Sequence, residues 1–412
     1  MSASDRVEFY RHQLGQEEAE SWRGVLDTLF LTLGPQVAAF EKELGEYLVR
    51  SPSARVGGDG RDEGGPAPLR QPPQVVGTSC CSMGLLVSLR ALDVGPGDEV
   101  ITTPMTFAAT SNAVLHLGAT PVLVDVEPTT GLIDPRAIEA AIGPKTKGIL
   151  PVHLYGQLAD MRAIRELADR HDLFVVEDSA HGIEMERDGV RPGDLGDAVV
   201  FSFYATKNLT SGDGGAVATR RPELADRLRR LRNHGVSKAA ADRHGGIYQH
   251  WDLVELGYKA NLTDLDAALL RPQLPRADQK RDARQRIVER YEKRLREAIG
   301  SRVPTTSRRG VPWLVERRGK SSHHLFTIQP PAAIRDEMLV SLGKAGIGTA
   351  VNYRAIHTLT YLKERLGLQR GALPIAEEIG DRTISLPLYP TLSESEQDRV
   401  VEAVAKAWRE GT

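Results

Sequence analysis

Cysteine is nearly missing from this chain: its 412 residues hold only Cys80 and Cys81, side by side. Neighbouring cysteines rarely bridge, because the ring they would close is strained, so free thiols in a reducing compartment are expected. Long apolar runs are missing too. No stretch approaches the roughly 18 apolar residues of a membrane span, and the N-terminal MSASDRVEFYRHQ lacks a signal-peptide core. A soluble, cytoplasmic protein is expected, with no membrane partner. Charge of one sign is not in excess, at 53 Lys+Arg against 55 Asp+Glu, so nothing points to nucleic acid or to an anionic membrane surface. Metal-ligand spacing is lacking as well. His323 and His324 are adjacent, whereas helix-borne metal pairs sit three or four apart, and no metal site is expected.

What the chain does have is a long alternation of short apolar runs with helical patterns. Strands are expected at Gln74 to Val76, Val100 to Thr102, Pro121 to Val126, Gly148 to Val152, Leu173 to Asp178, Ala198 to Phe203 and Gly215 to Thr219. Between them, Pro135 to Ile142 and Met161 to Arg170 carry apolar residues at three- and four-residue intervals. This alternation predicts an α/β fold whose large domain has a mostly parallel sheet flanked by helices. A first helix is expected at Gln36 to Val49, and Thr263 is a plausible N-cap for a charged helix that Pro272 and Pro275 interrupt or kink. The division expected is a large domain over 1–275 and a smaller C-terminal α+β domain over 276–412. The latter holds strand-like HHLFTIQ, a helix from Ala333 to Gly346 and a final helix capped by Ser393. Residues 51–73 are rich in Gly, Pro, Arg and Asp and poor in apolar groups, so they cannot offset their ordering entropy by burial. A flexible insertion is expected there, either an idle loop or a part of substrate access.

One segment carries the chemistry. In VVFSFYATKNLTSGDGG, a buried strand delivers Lys207 into a Ser/Thr/Gly-rich turn, and upstream the strand LFVVED ends in Glu177 and Asp178. Alone, Lys207 reads as a solvated loop lysine and Asp178 as a helix N-cap. Together at the carboxyl ends of sheet strands, where α/β folds bind ligands, they are the pair that pyridoxal 5'-phosphate (PLP) chemistry needs. The lysine forms a Schiff base and the aspartate keeps the pyridine nitrogen protonated.

The strings FSFYATKN with GDGG, VHLYGQ, EDSAH, GPGDEV, LRNHG, GYKANLTDLDAAL and SLPLYPTLSE occur in order from about Gly34 to the C-terminus. As a collinear set they resemble the DegT/StrS family of PLP-dependent sugar aminotransferases, of the aspartate aminotransferase fold type (PLP fold type I). The resemblance implies catalytic roles for Lys207 and Asp178. It implies that Phe107, otherwise readable as a core aromatic, stacks on the cofactor ring, and that His181 hydrogen-bonds its phenolic oxygen. The phosphate cradle departs from the family's Gly-Thr-Ala. Here Cys81, Ser82 and Met83 stand at the helix start, where backbone N–H groups and the Ser82 hydroxyl can still hold a phosphate, with a second hydroxyl from Ser202. Tyr155, His324, Asn352, Tyr353 and His357 match positions near the substrate.

The same resemblance implies a homodimer with shared active sites. A loop residue of one subunit would reach the other's phosphate, and here that is Lys259 or Asn261; Lys259 also reads as a plain solvated lysine. The expected reaction moves an amino group from L-glutamate or L-glutamine to a keto sugar, nucleotide-linked, in amino-sugar biosynthesis for antibiotics or polysaccharides. A keto-cyclitol acceptor of aminocyclitol pathways is the alternative. A dehydratase of the same fold is disfavoured, because Lys207 is present and two cysteines cannot supply the usual four ligands of an iron–sulfur cluster. A non-catalytic regulator is disfavoured because both Lys207 and Asp178 are intact.

Overall fold

The computed structural model describes residues 6–49, 71–237, 250–299 and 306–411. The 51–73 insertion falls outside the described residues over 51–70. Seven strands form one sheet: β1 (Gln74–Thr78), β2 (Glu99–Thr102), β3 (Thr120–Leu123), β4 (Thr146–Leu150), β5 (Phe174–Ser179), β6 (Ala198–Ser202) and β7 (Gly215–Thr219). Their order is β1-β7-β6-β5-β4-β2-β3. Pairings from β3 through to β6 are parallel, and β7 alone runs against both its neighbours. The central strands are buried almost throughout, as a sheet covered on both faces requires.

Local signals place the covering helices. Asp134 and Asp160 cap Pro135–Ala141 and Met161–Arg170, their carboxylates accepting the Arg136 and Ala163 N–H groups at 2.9 and 3.1 Å. Met161, Ile164, Leu167 and Ala168 turn one stripe of the second helix into the core. Thr263 caps Asp264–Leu270 through the Asp266 N–H at 3.0 Å. Pro272 and Pro275 then tighten the chain into a 3-10 stretch, Arg271–Arg276, before the long helix Ala277–Ile299.

That helix buries Ile287, Tyr291 and Leu295 in a second core, with Trp313, Leu342, Val404 and Trp408 packed around a two-stranded antiparallel sheet. The two strands are β8 (Phe326–Ile328) and β9 (Ile384–Leu386). The final helix, Glu394–Gly411, starts at Ser393, whose hydroxyl accepts the Glu396 N–H at 3.3 Å.

Two expectations change. The strand expected across HHLFTIQ keeps only three residues, because His323 takes a left-handed φ of 49° and Ser322 gives its N–H to Gly156 instead of a ladder partner. And Pro35–Val49 is not the first helix: Gln16–Val25 precedes it. That helix buries Glu18, ion-paired to Arg276, and Val25, so it offers little apolar periodicity to read.

Candidate active site

Strand register assembles the centre. Asp178 on β5 lies opposite Val200 on β6, so both strands end at one edge of the sheet. From β6 the chain turns through Tyr204, whose carbonyl accepts the Lys207 N–H at 2.8 Å, and returns by Gly212 and Gly214. Their φ values of 90° and 138° lie where side chains are strained, which is why the turn uses glycine.

Lys207 Nζ sits 3.4 Å from His324 Nε2. Burial pushes its ammonium from an ordinary 10.5 down to about 8, against the opposing pull of Cys81 and Asp178. The Asp178 carboxylate is buried and accepts the Thr110 hydroxyl at 2.9 Å and the Ala180 N–H at 3.1 Å. Burial raises its pKa, and the two hydrogen bonds, Lys207 and His153 oppose that rise. A cation arriving beside such a carboxylate would be stabilised by it.

His181 accepts the Tyr155 N–H at Nδ1, 3.0 Å, and lies 3.1 Å from the Tyr353 hydroxyl at Nε2. With Nδ1 accepting, the neutral ring carries its proton on Nε2. Burial, with Lys207 and His153 nearby, holds the ring well below the usual histidine range. Its face lies against His324, with centroids 4.5 Å apart.

Ser322 ties these pieces together. It donates its hydroxyl to the His181 carbonyl at 2.5 Å, while its own carbonyl accepts from Asn208 at 3.1 Å and from Arg284 at 3.0 Å. Lys207, His324, Asn352 and Tyr353 share a narrow cavity of about 60 Å³, with Tyr10 and Thr206 also on its wall.

The other expected residues divide. Phe107 is 64% exposed, its ring 6.3 Å from that of Tyr353, so it is no core aromatic. Ser82 is exposed and Met83 half-buried in the first turn of Cys81–Ala91, where Cys80 contributes no side-chain cap. The helix start is packed tightly from below: a Cβ on Gly215 would meet Cys80 and Cys81 backbone at 2.6 Å, and one on Gly84 would meet Val200. Ser202 accepts the Tyr204 N–H at 3.4 Å.

Asn261 is buried. In the amide orientation that satisfies both partners, it donates to the Arg232 carbonyl at 2.8 Å and accepts from Lys259 Nζ at 2.7 Å. Their loop runs beside Thr78 and Ser79 of its own chain, just before the helix start. Tyr155 packs with Met105, Leu132 and Ile356. His357 stands apart, buried and turned toward Glu377 at 3.0 Å. Among the described residues, no hydrogen bond joins it to Lys207, Asp178 or His181.

Thr110, Asn208 and Ser322 belong to this centre and were not singled out from the sequence. Thr110 lies in the same TTPMTFAATSNAV string as Phe107, and Asn208 follows the lysine directly, so position alone was the available signal. Among the described residues, no group of three His, Cys, Asp or Glu could hold a metal ion, and no helix is long and apolar enough to cross a membrane.

The residues present fit PLP. Lys207 offers an amine close to neutral, Asp178 an under-bonded buried carboxylate, and Cys81–Ala91 an uncapped helix start for a phosphate. The model of the DegT/DnrJ/EryC1/StrS aminotransferase family matches residues 69–405. The spore coat polysaccharide biosynthesis protein SpsC of Bacillus subtilis is 37% identical over 95% of this chain and 94% of its own length. Among solved structures, the aminotransferase TlmJ of Streptoalloteichus hindustanus is 30% identical, with a TM-score of 0.83 over 99% of this chain and 100% of that one. Spr1654 of Streptococcus pneumoniae in its PLP form is 27% identical, with a TM-score of 0.83 over 99% and 100%, and it was also solved in a PMP form. With the sheet, the lysine and the aspartate in place, these matches show that the chain belongs to the DegT/DnrJ/EryC1/StrS aminotransferase family and is a PLP-dependent aminotransferase.

Proposed function

We propose that this aminotransferase takes its amino group from L-glutamate or L-glutamine and gives it to a keto sugar, nucleotide-linked, with Lys207 as the covalent anchor of PLP and Asp178 as the partner of the ring nitrogen. The observation that carries this reading is the pairing of a half-buried lysine, its pKa lowered to about 8, with a buried carboxylate at the tip of the neighbouring strand. PLP supplies an electron sink that makes the proton on the amine-bearing carbon labile.

The protein's own residues do the rest. Desolvation keeps a useful fraction of Lys207 neutral near pH 8, so its lone pair can attack a carbonyl and later take and return a proton. Asp178, with Thr110 and Ala180 alone bonded to it among the described residues, keeps capacity for a cationic N–H. Ser82, Met83 and Ser202 form the phosphate end, Phe107 covers one ring face from the open side, and His181 with Tyr353 borders the other polar edge. Asn352, Tyr353, His324 and Tyr155 lie toward the acceptor. His357, held by Glu377, stands outside this group.

The acceptor class follows SpsC, whose name places it in polysaccharide biosynthesis. We propose a homodimer with shared sites as well. Leu29 and Leu256 are 80% and 77% exposed, with Leu253 and Tyr204 also bare, an apolar outlay that a second copy would cover. Lys259 is exposed and braced by Asn261, so it is the residue of the pair able to reach a partner's phosphate.

Borohydride reduction of the PLP-loaded protein, followed by peptide mapping, should put the label on Lys207; a label on any other lysine overturns the assignment. Single-turnover amino transfer from glutamate or glutamine should then proceed to nucleotide-linked keto sugars. Faster transfer to keto-cyclitols would replace the acceptor class and leave the chemistry standing.

A further inference from the structure

We propose that Asn208 is a positioning residue that fixes the tautomer of His324 and, through it, the direction of the Lys207 amine. Asn208 Nδ2 donates to the Ser322 carbonyl at 3.1 Å. That bond orients the amide, because a carbonyl only accepts, and it leaves Asn208 Oδ1 facing His324 Nδ1 at 3.2 Å. An amide oxygen also only accepts, so His324 Nδ1 must carry a proton. In a neutral imidazole the lone pair then lies on Nε2, and Nε2 is the atom that faces Lys207 Nζ at 3.4 Å.

Neutrality follows from the surroundings. The ring is buried, with Lys207, His181 and Arg284 close by, and its pKa falls well below the ordinary histidine range. His324 is therefore an acceptor for a Lys207 N–H rather than a base that keeps the proton. With one N–H held there, the remaining directions of the amine are fixed. The other tautomer would set an Nε2–H toward Lys207, repelling its ammonium or tying up the lone pair of its neutral amine.

The loop carrying His324 is well anchored for this purpose. The Ser322 carbonyl also accepts from Arg284, which is ion-paired to buried Glu184 at 2.8 Å. The acceptor that orients Asn208 is thus tied to the long helix and to the loop that follows β5.

The inference rests on Lys207 as the PLP-bearing residue, but its first test needs no cofactor. In apo-protein labelled with 15N-histidine, His324 signals are identified by their loss in His324→Gln. They should report a protonated Nδ1 and a bare Nε2. In Asn208→Ala the two tautomers should mix or reverse, and capture of added PLP, read as violet absorbance, should slow about tenfold, the worth of one hydrogen bond. Asn208→Asp, whose carboxylate still accepts from Nδ1 but cannot donate to the Ser322 carbonyl, should keep the tautomer and recover part of the rate.

A parent spectrum with the proton on Nε2 overturns the proposal, whatever the variants do. So does Asn208→Ala with unchanged tautomer, or with a changed tautomer and parental capture. If Asn208→Ala does not fold, the parent spectrum and Asn208→Asp decide. Failure of the parent to capture PLP at Lys207 would instead overturn the functional reading, and the apo spectrum would still stand.

Discussion

Glu177 and Asp178 are consecutive on one strand, point to opposite faces of it, and are kept in opposite ways. Glu177 is saturated. It accepts from His153 Nε2 at 2.8 Å and from the Gly193 and Gly196 N–H groups at 3.1 and 2.9 Å. His153 is itself committed, since its Nδ1 accepts the Ala159 N–H at 3.2 Å. Asp178 has one hydroxyl and one amide, and burial leaves it with a raised pKa. Two buried histidines do not repeat the contrast: His357 meets Glu377 through Nε2 and its Nδ1 has no partner among the described residues, while His324 has Asn208 and Lys207 at its two ring nitrogens. Of the two carboxylates, the fully hydrogen-bonded one holds the structure, and the one left short of partners faces the cleft. Native sites keep such deficits where a ligand makes them up.

The comparison can be broken from its functional side first. Lys207→Ala should abolish covalent PLP capture and amino transfer, with the circular dichroism of the parent retained; turnover near the parental rate would remove Lys207 from the centre. Asp178→Asn should slow the half-reaction with the amino donor by about 10²–10⁴-fold, in the range that a positioned proton-handling group contributes. Glu177→Gln, one residue away, should do the reverse. Its amide NH2 cannot accept from the glycine N–H groups, so the protein should lose about 3 kcal/mol of stability, while the folded fraction works near the parental rate. Equal kinetic losses in the two variants would erase the distinction between them.

The lysine gives a pH test. Its ammonium falls to about 8 from 10.5, so the neutral amine dominates above about pH 8, and PLP capture should rise with pH and level off there. The effect on apo-protein stability has a definite sign. Between about pH 8 and 10.5 the unfolded chain holds the proton that the folded one has released, so folding stability from this group increases with pH across that window. Below it the full desolvation penalty is present. In Asp178→Asn the midpoint of capture should move lower, because Asp178 is one of the groups supporting the ammonium. A midpoint near 10.5 in the parent would mean that the amine is not desolvated.

How much of this was readable in the sequence depends on which atoms do the bonding. The strands were legible to within a few residues, since β5 and β6 are apolar runs with turn residues at their ends. Caps at Thr263 and Ser393 were legible because their hydroxyls bond within three residues. Helix Gln16–Val25 was not, as its burial rests on Glu18 and a distant arginine. Lys207 and Asp178 stood out as a pair of types. Ser322, by contrast, acts largely through its backbone, bonding Gly156, Asn208 and Arg284, and side-chain identity says nothing of that. His357 has a glutamate partner twenty positions on, a separation with no local signature.

The smallest expected effect sharpens the comparison most, because it tests a single hydrogen bond. Thr110 donates to Asp178 Oδ2 at 2.9 Å and is itself paired with the Thr106 hydroxyl at 2.7 Å. Thr110→Val keeps the shape and removes the donor. The carboxylate then has only the Ala180 N–H, and the first of the hydrogen bonds opposing its raised pKa disappears, so the pKa should rise further. A carboxylate that is easier to protonate is a weaker partner for a ring N–H, and the half-reaction should slow about five- to tenfold, in line with one hydrogen bond of about 1 kcal/mol. Stability should fall by about 1–3 kcal/mol, since the valine methyl fills the place of the hydroxyl but buried Thr106 loses its hydroxyl partner. A parental rate would mean that Asp178 is set by burial alone. A loss as large as that of Asp178→Asn would mean that the threonine, and not the carboxylate's shortage of partners, is what readies this strand end for its cofactor.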